Sequence, residues 1–170
     1  GIWQGQGEWV RHWNGSEWVN HRLEGANLTR VEAASNQSVW AIESTESDES
    51  IIHSFDGEAW ETDRFDGATF VDIRALAEDN VWVASDRGLL NWDGSAWQRY
   101  EVSEGLATDL CVDGLGRPWT IAQNTVRLLD GGEWTESYIP PAARPTHIAC
   151  GTDRIWVGGD RGPFAWRAVE

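Results

Sequence analysis

The sequence predicts an all-β fold, a β-propeller of about five four-stranded blades, and three observations carry that prediction. A Trp preceded by Ile, Val or Pro recurs at Trp3, Trp40, Trp82, Trp119 and Trp156, at intervals of 37, 42, 37 and 37 residues. An Asn-Gly or Asp-Gly pair followed three residues later by Trp recurs at Asn14-Gly15, Asp56-Gly57, Asp93-Gly94 and Asp130-Gly131. A bulky apolar residue precedes each of these turns, at Trp13, Phe55, Trp92 and Leu129, and Trp166 holds the same place in the last copy. Three markers in one phase define an internal repeat. The single long interval is local, because the stretch 43–50 is five residues longer than Ser85-Asp86-Arg87.

Each copy reads as four short strands, A to D, with no helix. In the third copy, alternating Val71, Ile73 and Phe70, Asp72 place strand A over 70–76. Turn residues Glu78-Asp79-Asn80 lead to strand B over 81–84, and Ser85-Asp86-Arg87-Gly88 leads to strand C over 89–92. Asp93-Gly94 tolerates the positive φ of a tight hairpin and turns the chain into strand D over 96–102. Four strands in 37–42 residues is the size of a propeller blade. The copies fall at about 1–27, 28–69, 70–106, 107–144 and 145–170, as a single domain or a piece of a larger propeller. Ile2-Trp3 aligns with Ile155-Trp156, so the first and last blades are incomplete and the count is five B, five C, four A and four D strands. Open blade edges invite strand donation between copies, and hence a homo-oligomer.

The repeats, as VWAIES…IIHSFDGEAW (39–60), VWVASDRGLLNWDGSAW (81–97), PWTIAQNTVRLLDGGEW (118–134) and IWVGGDRGPFAW (155–166), resemble bacterial propeller repeats of the two-component-regulator kind. They are also similar to the Trp-rich repeats of secreted bacterial proteins. That resemblance implies a propeller fold and a binding or scaffold role in a secreted or periplasmic protein.

Composition narrows the partners. The net charge is −15, which repels nucleic acid and anionic membrane surfaces. No apolar run approaches the ~20 residues that span a bilayer. With no Met in 170 residues, a processed or excised piece is expected. Cys111 and Cys150 fall on strands A of successive copies, but the alignment places them one residue out of phase. That phase favours two buried thiols over a disulfide, and a disulfide would favour an oxidising compartment.

Twelve of the thirteen Trp are repeat markers and are expected in the core. Each buries roughly 150–250 Å², worth on the order of 4–6 kcal/mol at ~25 cal/mol per Å². Trp9 is left over, aligned with Gly88, Thr125 and Gly162, and is the first candidate for contact with a ligand. Asp86-Arg87 and Asp160-Arg161 repeat as a pair in B–C turns, and Arg144 lies in a D–A loop; these loops share the face that usually carries binding in propellers. Ligand-binding candidates are therefore Trp9, Asp86, Arg87, Arg144, Asp160 and Arg161. The acidic insert 43–50 lacks the Gly and the spacing of a calcium loop and reads as a solvated loop. The four His occupy different repeat positions and are not expected to converge. Neither a nucleophile elbow nor a zinc-protease or phosphate-loop pattern is present. No cofactor, metal or catalytic residue is expected. The expected function is a non-catalytic module engaging a protein partner, with a carbohydrate-binding propeller as the alternative and a glycosidase-like enzyme behind it.

Overall fold

The computed structural model describes residues 1–44, 49–102, 107–139, 144–152, 154–159 and 162–167. It contains eighteen strands, as the repeat count requires, in five antiparallel sheets. The first sheet holds β1 (Ile2–Gln6), β2 (Trp9–Trp13) and β3 (Trp18–Arg22). The second holds β4 (Leu28–Ser35), β5 (Ser38–Ser44), β6 (Glu49–Phe55) and β7 (Trp60–Asp66). The third holds β8 (Phe70–Ala77), β9 (Asn80–Ser85), β10 (Gly88–Trp92) and β11 (Trp97–Glu101). The fourth holds β12 (Ala107–Val112), β13 (Pro118–Ala122), β14 (Thr125–Asp130) and β15 (Glu133–Tyr138). The fifth holds β16 (Pro145–Cys150), β17 (Arg154–Gly159) and β18 (Gly162–Arg167).

The turn marker works through its side chain. Asp93 Oδ1 accepts the backbone N–H groups of Ser95 and Ala96 at 2.9 Å, and Asp56 and Asn14 bond their turns in the same way. These bonds, with the Ser95 hydroxyl first, hold the Asp93 carboxyl down at about 2. Gly94 follows at φ 90°, a conformation that suits a residue without Cβ. In the fourth sheet Asp130 pairs directly with Glu133, and Gly131 and Gly132 form a two-residue hairpin, both at positive φ.

Each sheet has two buried faces where it lies between neighbours, which is why Trp and Val alternate along the B strands. Trp40, Ile42 and Ile52 of the second sheet pack on Val81, Val83 and Leu90 of the third. Trp82, Ala84 and Leu89 of the third then pack on Ala107, Leu110 and Leu129 of the fourth. Trp119, Ile121 and Leu128 of the fourth pack on Ile148, Ile155 and Val157 of the fifth. The innermost strands carry the succession, with β1 on β4, β4 on β8, β8 on β12 and β12 on β16. Among the described residues no packing of that extent joins the fifth sheet to the first, so the five sheets form an open arc.

Two Trp markers depart from the expected burial. Trp18 is 42% exposed and Trp156 is 44% exposed. Trp18 lies on the face of the first sheet turned away from the second, and Trp156 on the face of the fifth turned away from the fourth.

The cysteines are bonded, Cys111 to Cys150, with Cα atoms 5.6 Å apart. This corrects the expectation of two thiols. Their one-residue phase difference puts Cys111 on the trailing face of the fourth sheet, beside Trp119, and Cys150 on the leading face of the fifth, beside Ile155. Those two faces look at each other, so opposite phase is what a bond between successive blades needs. A disulfide fits an oxidising compartment.

Candidate functional site

Three polar regions interrupt the apolar stacking. The first lines the inner strands. Arg30, Asp72, Asp109 and His147 occupy the same register position in successive sheets, each following a bulge. Asp72 Oδ2 accepts the Leu110 N–H at 3.1 Å, and Asp109 Oδ2 accepts the Ile148 N–H at 2.8 Å. Each carboxylate thus latches its sheet to the next. Arg74 bridges the group, with contacts of 2.8 Å to Asp72, 3.4 Å to Glu32 and 3.6 Å to Asp109. Burial, and then the hydrogen bond to Asp109, push Asp72 up to about 6.

The second region lies between the first and second sheets. His12 stacks on Trp3 with ring centroids 4.2 Å apart, and His21 sits against Trp3, Phe55 and Trp60. His53 faces the same interface from β6 and lines a cleft of about 870 Å³ with Arg22, Asn27, Trp60 and Arg64. His12, His21 and His53 thus border this interface from two sheets without gathering at one point. Their repeat positions differ because two lie on the trailing face of one blade and one on the leading face of the next. Burial lowers both His21 and His53 from the ordinary imidazole range. Glu43, read from sequence as part of a solvated loop, extends β5 and is buried, while β6 begins at Glu49; residues 45–48 lie outside the described residues. Its Oε1 lies 3.3 Å from His53 Nε2 and its Oε2 accepts the Asn27 N–H. Thr62 Oγ1 lies 3.0 Å from His53 Nδ1.

The third region is the outward face of the first sheet. Alternation puts Gln4, Gln6, Trp9, Arg11, Trp18 and Asn20 on it. Trp9 is 41% exposed and forms the wall of an open cavity of about 510 Å³ with Gln4, Gln6 and Arg11. Arg22 stacks over its ring at 6.0 Å. Gln4 stands where the second, third and fourth sheets bury Ala41, Val83 and Thr120.

The other sequence candidates are placed apart from Trp9. Asp86 accepts the Thr69 N–H at 2.8 Å and returns its own N–H to the Thr69 carbonyl, so it ties a B–C turn to the D–A loop before it. Arg87 is exposed and its guanidinium lies over Gly67. Arg144 is exposed at the start of the fifth sheet, with φ 44°. Asp160 and Arg161 lie outside the described residues. Trp18, Gln4 and Arg11, which accompany Trp9, were missed because Trp18 carries a core marker. The signal was available: strand alternation puts all three on the face of Trp9.

These sheets, stacked by their innermost strands around a polar inner edge, define a β-propeller. Solved propellers confirm the fold. The chain is similar to an inactive virginiamycin B lyase of Staphylococcus aureus with quinupristin, at 14% identity and TM-score 0.72, over 92% of this chain and 58% of that one. It is similar to YCF48 bound to D1 peptide, at 16% identity and TM-score 0.67, over 91% and 55%. It is also similar to the extracellular domain of a putative one-component system of B. thetaiotaomicron, at 11% identity and TM-score 0.72, over 99% and 26%. The chain thus spans little more than half the length of the first two. No protein-family model and no curated protein matches it.

Proposed function

We propose that the chain is a binding module of a secreted or periplasmic protein, akin to sensor-type propellers, and that it engages a protein partner through the outward face of the first sheet. The exposed pair Trp9 and Trp18, set among Gln4, Gln6, Arg11 and Asn20, carries this reading. A flat sheet with two ring faces and unpaired amide and guanidinium groups offers both apolar area and directional donors. Arg11 has no ion-pair partner among the described residues and suits an acidic or carbonyl-rich segment. Among the described residues this pairing of two exposed Trp occurs on the first sheet alone, whereas a repeat lectin would show equivalent pockets. The Cys111–Cys150 bond and the extracellular and peptide-bound propellers of similar fold support the compartment and the role.

A carbohydrate ligand is the second reading, favoured by the amides of Gln4, Gln6 and Asn20 beside the Trp rings. Peptide and glycan arrays probed with the wild type and Trp9→Ala separate the two. Trp9-dependent capture of peptides supports the protein reading, and Trp9-dependent capture of glycans replaces it with the lectin reading. Binding that Trp9→Ala leaves intact removes this face from both. Light scattering at several concentrations tests whether open blade edges pair two copies; a monomer throughout counts against pairing.

A further inference from the structure

We infer that Thr62, His53 and Glu43 form a nucleophile–base–carboxylate relay that transfers acyl groups from carboxylic esters. The inference goes beyond the binding role and does not depend on the Trp9 face. Three observations support it.

The first is geometry. Glu43 is 5% exposed and its carboxylate only accepts, so the His53 Nε2 at 3.3 Å carries the proton. His53 Nδ1 is then the bare nitrogen, and the Thr62 hydroxyl at 3.0 Å donates to it. The Asn27 N–H at 2.5 Å fixes the other Glu43 oxygen. A hydroxyl held on an oriented, neutral imidazole is the arrangement of an activated nucleophile. His53 is 6% exposed and Thr62 is exposed, and both line the 870 Å³ cleft, so a substrate at the hydroxyl also lies against the base.

The second is the repeat. At the position of His53 the third sheet carries Leu90, and at the positions of Glu43 and Thr62 it carries Ser85 and Arg99. The fourth sheet has Arg127, Ala122 and Glu136 there. The fold packs without the trio in both. Blade two alone combines all three residues, beside the insert that begins at Glu43.

The third is the cleft around the hydroxyl. Arg64, two residues along the same strand face, and Arg22, across the cleft, both line it. Each holds a carboxylate, Glu49 and Glu8, and has N–H groups left over for an alkoxide oxygen.

The step balances without a cofactor. The Thr62 Oγ–H proton passes to His53 Nδ1 as Oγ bonds to the ester carbonyl carbon. The carbon–alkoxide bond then breaks and His53 returns the proton to the leaving alcohol. Water, deprotonated by His53 in the same way, releases the acid and frees Thr62. Thr62 and His53 are catalytic in this step, and Glu43 positions His53.

The test is turnover of p-nitrophenyl acetate by the whole chain, with peptide mass spectrometry to locate the acetyl group. Expected are an acetyl adduct on Thr62, loss of turnover in Thr62→Ala with retention in Thr62→Ser, and a fall on the order of 10²-fold in His53→Leu. That last variant installs the third sheet's own residue. Glu43→Gln should move the midpoint of the pH–rate profile to lower pH, because the Glu43 charge supports the imidazolium. A purely structural Glu43 would leave the midpoint in place. Leu115→Ala, in the exposed turn between β12 and β13, should leave turnover unchanged. Turnover no faster than buffer, equal rates in wild type and Thr62→Ala, or acetylation elsewhere than Thr62 overturns the inference.

Discussion

The fourth and fifth sheets meet differently from the first and second. Between four and five, a continuous apolar cluster of Trp119, Ile121, Leu128, Ile148 and Val157 is closed by a disulfide at its inner edge. The Asp109 latch adds a charge-assisted hydrogen bond to the same seam. Between one and two the apolar cluster is smaller, centred on Val10, Leu28 and Ala41. Three buried ring nitrogens there, of Trp3, His12 and Trp60, have no hydrogen-bond partner among the described residues. One repeat thus builds a seam committed to stability and another that tolerates polar groups. Unsatisfied buried donors cost stability, and they persist where a region serves some other purpose. The proposed Thr62 relay lies at the less committed seam, and the proposed binding face lies on the other side of the first sheet.

Removing the covalent tie is the strongest way to break the contrast. Closing a loop whose ends are 39 positions apart is worth about 4 kcal/mol at most by chain entropy. Cys111→Ala with Cys150→Ala should lower unfolding free energy by roughly 2–4 kcal/mol. Denaturant titration measures the loss. Hydrogen exchange should localise it to β12 and β16, with β1 to β3 little changed. Equal loss of protection at both ends would show that the seams are not independent.

The next largest effect concerns the inner latch. Asp72 in the folded chain stands at about 6, above its ordinary 3.8. The folded state therefore holds the proton more tightly than the unfolded state. The stability this contributes is full below about pH 4 and is lost as pH rises through 6. At ~1.4 kcal/mol per unit the change is on the order of 2–3 kcal/mol. Asp72→Asn keeps an oxygen for the Leu110 N–H and should flatten the profile over that window. Identical profiles for the wild type and Asp72→Asn between pH 4 and 7 would rule out the raised Asp72 carboxyl.

The first seam should respond to pH with the opposite sign. Burial lowers His21 and His53, so the folded state resists their protonation. Their contribution is present above the unfolded value near 6.5 and is lost as pH falls through the folded values. His21 is faced by Trp3, His12, Phe55 and Trp60, and no carboxylate pairs with it among the described residues. His21→Phe should remove part of the acid loss and add about 1 kcal/mol at pH 5, the scale of an aromatic pair. Hydrogen exchange of β2 and β3 at pH 5 and pH 7 reads this directly. Unchanged exchange in the wild type between the two pH values would count against a titrating seam.

The blades were legible because each marker does the same physical job in most copies. Asn14, Asp56 and Asp93 bond their turns, and Trp40, Trp82 and Trp119 fill the space before the next sheet. The pairing of Cys111 with Cys150 was misread because phase was judged within one sheet, while the bond joins opposed faces of two. That His12, His21 and His53 border one seam was hidden for the same reason. Glu43 looked like loop because its neighbours are polar, yet the buried His53 and the Asn27 N–H hold its carboxylate in place. Repeat alignment finds what copies share, and the candidate sites consist of what one blade has alone.

The smallest expected effect on stability belongs to Trp9, on the proposed binding face. Trp9 is more than a third exposed and its ring meets only an exposed Arg22 guanidinium, at 6.0 Å. A surface substitution of this kind costs at most about 0.5–1 kcal/mol. Trp9→Ala should therefore unfold within that margin of the wild type while losing the peptide or glycan contact. Trp82→Ala supplies the contrast, because the Trp82 ring is buried between the third and fourth sheets and its loss should cost about 3–5 kcal/mol. If Trp9→Ala destabilised the chain as much as Trp82→Ala, Trp9 would be a packing residue like the other markers. The outward face of the first sheet would then lose its claim to be a binding surface.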